Sequence, residues 1–211
     1  MKIQRKNFIR GDVATVTPGV ALGALNNRFL WANAADFDSD VDVLNYALTL
    51  EYLEAEFYRQ GNSAGLLSGK EKGYLDQIQV DEETHVATVL QTVKTIGGTP
   101  VAMPAVDFGD AFSSRDSYLT LSHTFENTGV RAYLGAAGFI EDKAILQAAA
   151  SIFGVEARHA AIVGNLLGLP VEGGVYMSAF EQPLAKDEVL AAVDPFIAGA
   201  DAMSDDAAVT L

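Results

Sequence analysis

The chain has 211 residues, 49% of them hydrophobic, a net charge of −14 and no cysteine. That length and apolar share suffice for one domain with a real core, while the acidity disfavours nucleic acid, whose phosphates need clustered Lys and Arg. Without thiols there are no disulfides, thiolate sites or iron–sulfur clusters, so any metal must use carboxylate, imidazole or carbonyl donors. No run of about 20 uninterrupted apolar residues predicts a transmembrane helix.

Residues 1–35 read as an export segment. Lys2, Arg5, Lys6 and Arg10 form a basic start, Val13 to Leu25 a weakly apolar run, and Ala32-Asn33-Ala34 a small-x-small cleavage site. Arg5-Lys6-Asn7-Phe8-Ile9-Arg10 resembles the twin-arginine export motif, with Lys6 standing where that motif has its second arginine. The expectation is a periplasmic or extracellular protein. The alternative is a retained N-terminal arm on a cytoplasmic one.

A first helix is expected from about Asp40 to Gln60, with Ser39 as N-cap and Gly61 as the stop. Leu44, Leu48, Glu51, Ala55 and Tyr58 recur at helical spacing, so a glutamate sits inside the apolar stripe. The second helix, about Lys70 to Ile96, carries the stripe Leu75, Ile78, Glu82, His85, Val89 and Ile96, and Gly97-Gly98 ends it. Residues 97–113 hold Pro100, Pro104 and Gly109 without helical period. About 16 extended residues reach ~50 Å, more than the ~36 Å of a 24-residue helix, so this stretch can cross the whole bundle. The third helix, about Arg115 to Ala137, carries Leu119, Ser122, Glu126, Val130 and Tyr133. The fourth, about Asp142 to Leu167, carries Ile145, Ala149, Ile152, Glu156, His159, Val163 and Leu166. Residues 169–211 form a C-terminal extension with one short helix at Lys186 to Val193 and a final stretch expected to be mobile.

The halves repeat. Glu51 and Tyr58 recur 75 residues later as Glu126 and Tyr133, and Glu82 and His85 recur 74 later as Glu156 and His159. Each half is a helical hairpin with Glu on its first helix and Glu-x-x-His on its second. Residues i and i+3 share a helix face, so each Glu-x-x-His word can hold an ion from one side. Neither hairpin can bury its stripe alone. Paired about an approximate two-fold axis, they close a four-helix bundle over residues 36–168 and gather Glu51, Glu82, His85, Glu126, Glu156 and His159. Four buried carboxylates repel and lose hydration, and two divalent cations neutralise them. Tyr58 and Tyr133 are expected either to hydrogen-bond ligand carboxylates or to be plain core tyrosines. Glu54 lies one turn nearer the hairpin turn than Glu51 and has glycine, not tyrosine, seven residues on, so it reads as a nearby polar group or a structural residue. His123 matches Leu48 in the repeat and reads as an ordinary packed histidine.

Segments 50–58, Asp81-Glu82-Glu83-Thr84-His85, 125–133 and Val155-Glu156-Ala157-Arg158-His159-Ala160 resemble the ferritin-like superfamily, in its branch of ferritin-like domain and desiccation-related proteins. The resemblance implies an all-α, ferritin-like four-helix bundle with a long crossover between its second and third helices. It implies two Fe or two Mn ions per chain on the six residues above. It also implies that Asp81, whose repeat counterpart is Val155, supports His159 from the opposite hairpin. The implied activity is oxidation of Fe(II), or reaction with O2 or H2O2, as a ferroxidase- or peroxidase-type oxidoreductase in stress protection. The alternatives are a manganese catalase-like enzyme and a non-catalytic metal-binding envelope, stress or assembly protein. A homo-oligomer is compatible with either.

Overall fold

The computed structural model describes residues 37–198. The expectations for residues 1–35 and for the last residues of the chain lie outside that span. Four long helices dominate it: α1 (Asp40–Ser63), α2 (Gly69–Thr95), α3 (Arg115–Ala136) and α4 (Lys143–Leu166), followed by the short α5 (Lys186–Val193).

The helix starts follow capping chemistry. Ser39 accepts a hydrogen bond from the Asp42 amide at 3.3 Å, and Asp142 accepts from Ala144 and Ile145 at 2.7 and 3.1 Å. Ser114 and Ser117 cap α3 reciprocally. One stop differs from expectation. The helix does not end at Gly61 but runs to Ser63, and the chain turns at Gly65 with φ +70°. Gly61 is instead a packing position: a Cβ there would lie 2.3 Å from the Tyr118 ring.

α1 packs chiefly on α2, and α3 on α4. Contacts at the helix ends fix their directions. Arg115, at the start of α3, pairs with Glu71 at the start of α2 and donates to the Leu166 carbonyl at the end of α4, at 2.9 Å. Asp40, at the start of α1, accepts from the amides of Glu141 and Asp142 at 2.8 and 3.0 Å, just before α4. Asn45 of α1 binds the backbone of Thr99 and Val101, just past α2. One end of the bundle, here the upper end, therefore holds the C-terminus of α1 and the starts of α2 and α3. The lower end holds the starts of α1 and α4. The stretch after Thr95 returns the chain from the lower end to the upper, as its length predicts.

The two ends have different cores. Above, Phe57, Tyr58, Tyr118 and Phe125 are buried together, with Phe57 centred 5.0 Å from Phe125 and 5.3 Å from Tyr118. Below, the core is aliphatic, built on Leu44, Ala47, Leu48, Val89, Val93, Ile145 and Ile152. Fully burying one such large side chain contributes about 1.5–3 kcal/mol.

The C-terminal extension is tied to the bundle. Leu184 donates to the Arg131 carbonyl at 3.1 Å, and its own carbonyl lies 2.0 Å from where a Cβ on Gly135 would stand. His123 meets the Gly174 carbonyl at 2.9 Å, so it anchors this segment and stands outside the acidic centre. Val189 and Val193 of α5 are buried, and Val106 of the crossover bridges Ile197.

Candidate metal centre

Midway along the bundle the apolar stripes carry their charged residues inward. Glu82, Glu126 and Glu156 are fully buried, and Glu51, His159 and His85 are 1%, 4% and 8% exposed. The six fall into two groups of four. Glu51, Glu82, His85 and Glu156 form one, and Glu82, Glu126, Glu156 and His159 the other, each with donor atoms within 4.8 Å of one another. Glu82 and Glu156 belong to both. The repeat explains the pattern: each Glu-x-x-His word gives its glutamate to the midline and its histidine to one side.

The imidazoles present Nδ1 to the centre. His85 Nδ1 lies 3.0 Å from Glu156, 3.3 Å from Glu82 and 3.4 Å from Glu51. His159 Nδ1 lies 3.0 Å from Glu82 and 3.3 Å from Glu126. On its far side His159 Nε2 meets Asp81 at 3.2 Å, across the two hairpins. A carboxylate there fixes the tautomer and strengthens the inner nitrogen as a donor. His85 Nε2 has no such partner among the described residues.

Both tyrosines reach across to the other hairpin. The Tyr58 hydroxyl donates to Glu126, and the Tyr133 hydroxyl donates to Glu51. Burial pushes both phenols up, so both remain donors. Ser122 lies 2.6 Å from the Tyr58 oxygen. A phenol has one proton to give, so Ser122 donates to Tyr58 while Tyr58 donates to Glu126.

Burial raises the carboxyls. Glu51 is pushed up to about 7, although its contacts with His85 and Tyr133 oppose the rise. Burial followed by repulsion from Glu126 raises Glu156 well above the usual range. Burial raises Glu126 too, against the opposing pull of His159. For His159 burial disfavours the charged form, but Glu126 and Glu82 outweigh it and push the imidazole up to about 11. His85 is raised on the same balance.

Glu54 is the residue the sequence undervalues. It is 4% exposed, and burial plus the charges of Glu156, Glu82, Glu126 and Glu51 raise it well above a normal carboxylate. Its oxygens stand 3.3 and 3.5 Å from the place of a Cβ on Gly129. Gly129 is the repeat counterpart of Glu54, 75 residues on. One hairpin supplies a fifth carboxylate, and the other supplies the space it occupies. That pairing was present in the repeat register, but only the packing of α1 on α3 gives it meaning.

The donors fit a pair of cations. Glu51 Oε2, Glu82 Oε1, Glu126 Oε2, both oxygens of Glu156 and His159 Nδ1 are buried without a hydrogen-bond partner. Some lie near a histidine, yet not in hydrogen-bonding alignment. Buried polar atoms are seldom left so, and six of them converging on one spot suit hard or borderline divalent ions bound by oxygen and nitrogen.

The sequence profile of the ferritin-like domain family matches residues 39–169. Among solved structures, one described as ferritin-like, diiron-carboxylate proteins from Bacillus anthracis str. Ames aligns with a TM-score of 0.52 at 21% identity, covering 60% of this chain and 94% of that one. At that identity it bears on the fold alone, which is a ferritin-like helical bundle. No curated protein matches the chain.

Proposed function

The chain belongs to the ferritin-like domain family, and on that premise we propose that it holds two iron or manganese ions and reacts them with dioxygen or hydrogen peroxide, Fe(II) oxidation being the leading activity. The observation that supports this reading is the pair of four-donor groups sharing Glu82 and Glu156. One position takes Glu51 and His85, the other Glu126 and His159. Glu82 and Glu156 link them.

Two such ions, when bound, would supply the redox chemistry toward the oxidant. The residues supply the rest. Glu82 and Glu156, which belong to both groups, would hold the two ions together. His85 and His159 would each give a metal a nitrogen donor that adds no further negative charge to the buried site. Tyr58 and Tyr133 hold Glu126 and Glu51 in fixed orientations. Glu54 stands beside both groups without a position of its own in either. The apolar side chains above and below exclude water and strengthen each charge interaction.

Protein purified without added metal should carry two iron or manganese ions per chain by elemental analysis. Loaded with Fe(II), it should consume dioxygen or peroxide faster than free Fe(II) does. A loaded protein that turns over neither oxidant would reject the enzymatic reading. Peroxide turnover with manganese and not with iron would select the catalase-like one.

The basic start and Ala32-Asn33-Ala34 support an exported, stress-protective role outside the cytoplasm. Protein recovered from the periplasm or medium should begin near Ala35 by mass spectrometry, and an intact Met1 there would reject cleavage.

A further inference from the structure

The lower end of the bundle contains a cavity of about 20 Å³ bounded by α1, α3, the start of α4 and Ile140. Its inner wall is the ring of Tyr133, whose hydroxyl holds Glu51. Its outer wall is Ala136 and the half-buried Ile140. The cavity therefore runs between the acidic centre and the turn that joins α3 to α4.

The repeat shows what opens it. Residues 75 apart occupy matching places at opposite ends of the bundle. Where the cavity has Val43, Leu50 and Ala132, the upper end has Tyr118, Phe125 and Phe57, all buried and in ring contact around Phe57. On the last helix, 74 residues from its counterpart, the cavity has Ala149 where the upper end has Leu75. Four side chains that fill the matching place above are cut back below, while Tyr46, Ala136 and Ile140 stand where the upper end has the smaller Leu121, Gly61 and Gly65, and Tyr133 remains as the wall matching Tyr58. Interiors leave few voids larger than a water molecule, so a void here is a feature to be explained.

Its chemistry selects the occupant. A water needs two to four polar partners to stay in a cavity, and voids lined by aliphatic groups remain dry. The exposed wall of the cavity is almost entirely carbon: Val43, Leu44, Ala47, Leu50 and Ala132 offer no polar partner, Tyr46 and Tyr133 line it, and the Tyr133 hydroxyl is already given to Glu51. The space is far below the ~150 Å³ that admits benzene. It suits one small apolar molecule, which gains by leaving water.

We infer that this cavity is a binding site for a small apolar gas, dioxygen, and that it feeds the centre from the side of Glu51 and His85. Delivery rests on the oxygen-reactive reading of the centre. Binding does not. Crystals of the protein pressurised with xenon should show one xenon atom beside Tyr133 and none beside Tyr58. Ala132→Phe, which copies Phe57, and the gentler Ala149→Leu, which copies Leu75, should each remove that xenon. In the Fe(II)-loaded protein both should raise several-fold the dioxygen concentration for half-maximal oxidation. Oxidation by hydrogen peroxide, which is polar and does not use the cavity, should not change. A lower end without xenon, or xenon equally at both ends, overturns the site. Unchanged dioxygen dependence in Ala149→Leu with its xenon gone overturns delivery. If the loaded wild type reacts with neither oxidant, the proposed activity fails and so does delivery, while xenon still decides binding.

Discussion

The two candidate metal positions have equal ligands and unequal support. Around Glu126 and His159, Tyr58 is itself held by Ser122, Asp81 holds the far nitrogen of the imidazole, and buried aromatic rings close the end of the bundle. Around Glu51 and His85, Tyr133 acts without a serine, Val155 stands at the repeat position of Asp81, and the wall behind the tyrosine is partly empty. Ion binding dictates the ligands, so both hairpins keep them. Nothing in ion binding dictates equal rigidity. The ligand side chains around Glu126 and His159 are held by more partners than those around Glu51 and His85.

That contrast breaks most completely at a shared ligand. Glu156→Ala removes a donor from both positions and should lower the metal content from two per chain to nearly none by elemental analysis. Glu51→Ala should leave the ion at Glu126 and His159 in place, whereas Glu126→Ala should lose it. Helix content by circular dichroism should persist in all three. Collapse of the fold in Glu126→Ala would make that glutamate structural and the assignment wrong.

Acid titration sharpens the contrast next. Glu51 is raised from 4.5 to about 7 in the folded chain. The folded state then holds a proton that the unfolded state has lost. Stability is fully present below pH 4.5 and is lost as pH rises through 7. His159, pushed up to about 11, acts in the same sense at higher pH. A shift of that size on Glu51 is about 3 kcal/mol, or about 6–12 °C in melting temperature at ~2–4 °C per kcal/mol. Chelated protein should therefore melt lower at pH 8 than at pH 5, and Glu51→Gln should remove much of the difference. Loaded protein should reverse the trend, because metal displaces these protons. A chelated protein that stabilises with rising pH would show that the buried carboxyls titrate normally.

Asp81→Ala should weaken the upper ion about 10–100-fold, the usual effect of losing a partner behind a ligand. The lower ion should hardly change. Stepwise Fe(II) or Mn(II) titration by calorimetry, with crystallographic occupancies, separates the two. Equal weakening at both positions would remove the asymmetry.

Ser122→Ala should have the smallest effect. It gives the upper tyrosine the alanine that the lower one has at Ala47. One lost hydrogen bond is worth about 0.5–1.5 kcal/mol, so a melting-temperature change above about 6 °C would mean that Ser122 does more than steady Tyr58.

The clustering of these six residues was legible in the sequence because a charged residue inside an apolar stripe has few bland explanations, and the repeat supplies each residue twice. The crossover was legible from length alone. Glu54 was not, for two reasons. Its level was counted from a turn at Gly61, but α1 runs on to Ser63. The stripe also pointed to Ala55, whereas α1 buries a broader face that includes Leu53, Glu54 and Phe57. The cavity needed contacts among three helices that no single periodicity contains. The tethering of the extension by His123 and Arg131 was invisible for the same reason, since its partners are backbone carbonyls more than 50 residues away.

Each position draws three donors from one hairpin and one from the other: Glu51, Glu82 and His85 meet Glu156, and Glu126, Glu156 and His159 meet Glu82. The ions would therefore sit in the seam between two units whose own contacts are local and quick to form. Docking the hairpins brings five carboxylates together and is the step that like charge slows, so cations should accelerate the end of folding more than its beginning. The same seam governs escape. Fraying of a single helix end frees no ligand, and an ion leaves only when the hairpins part, an opening of the rare, global kind. Exchange of bound metal should then be as slow as amide exchange in the core of the bundle, and should quicken with it.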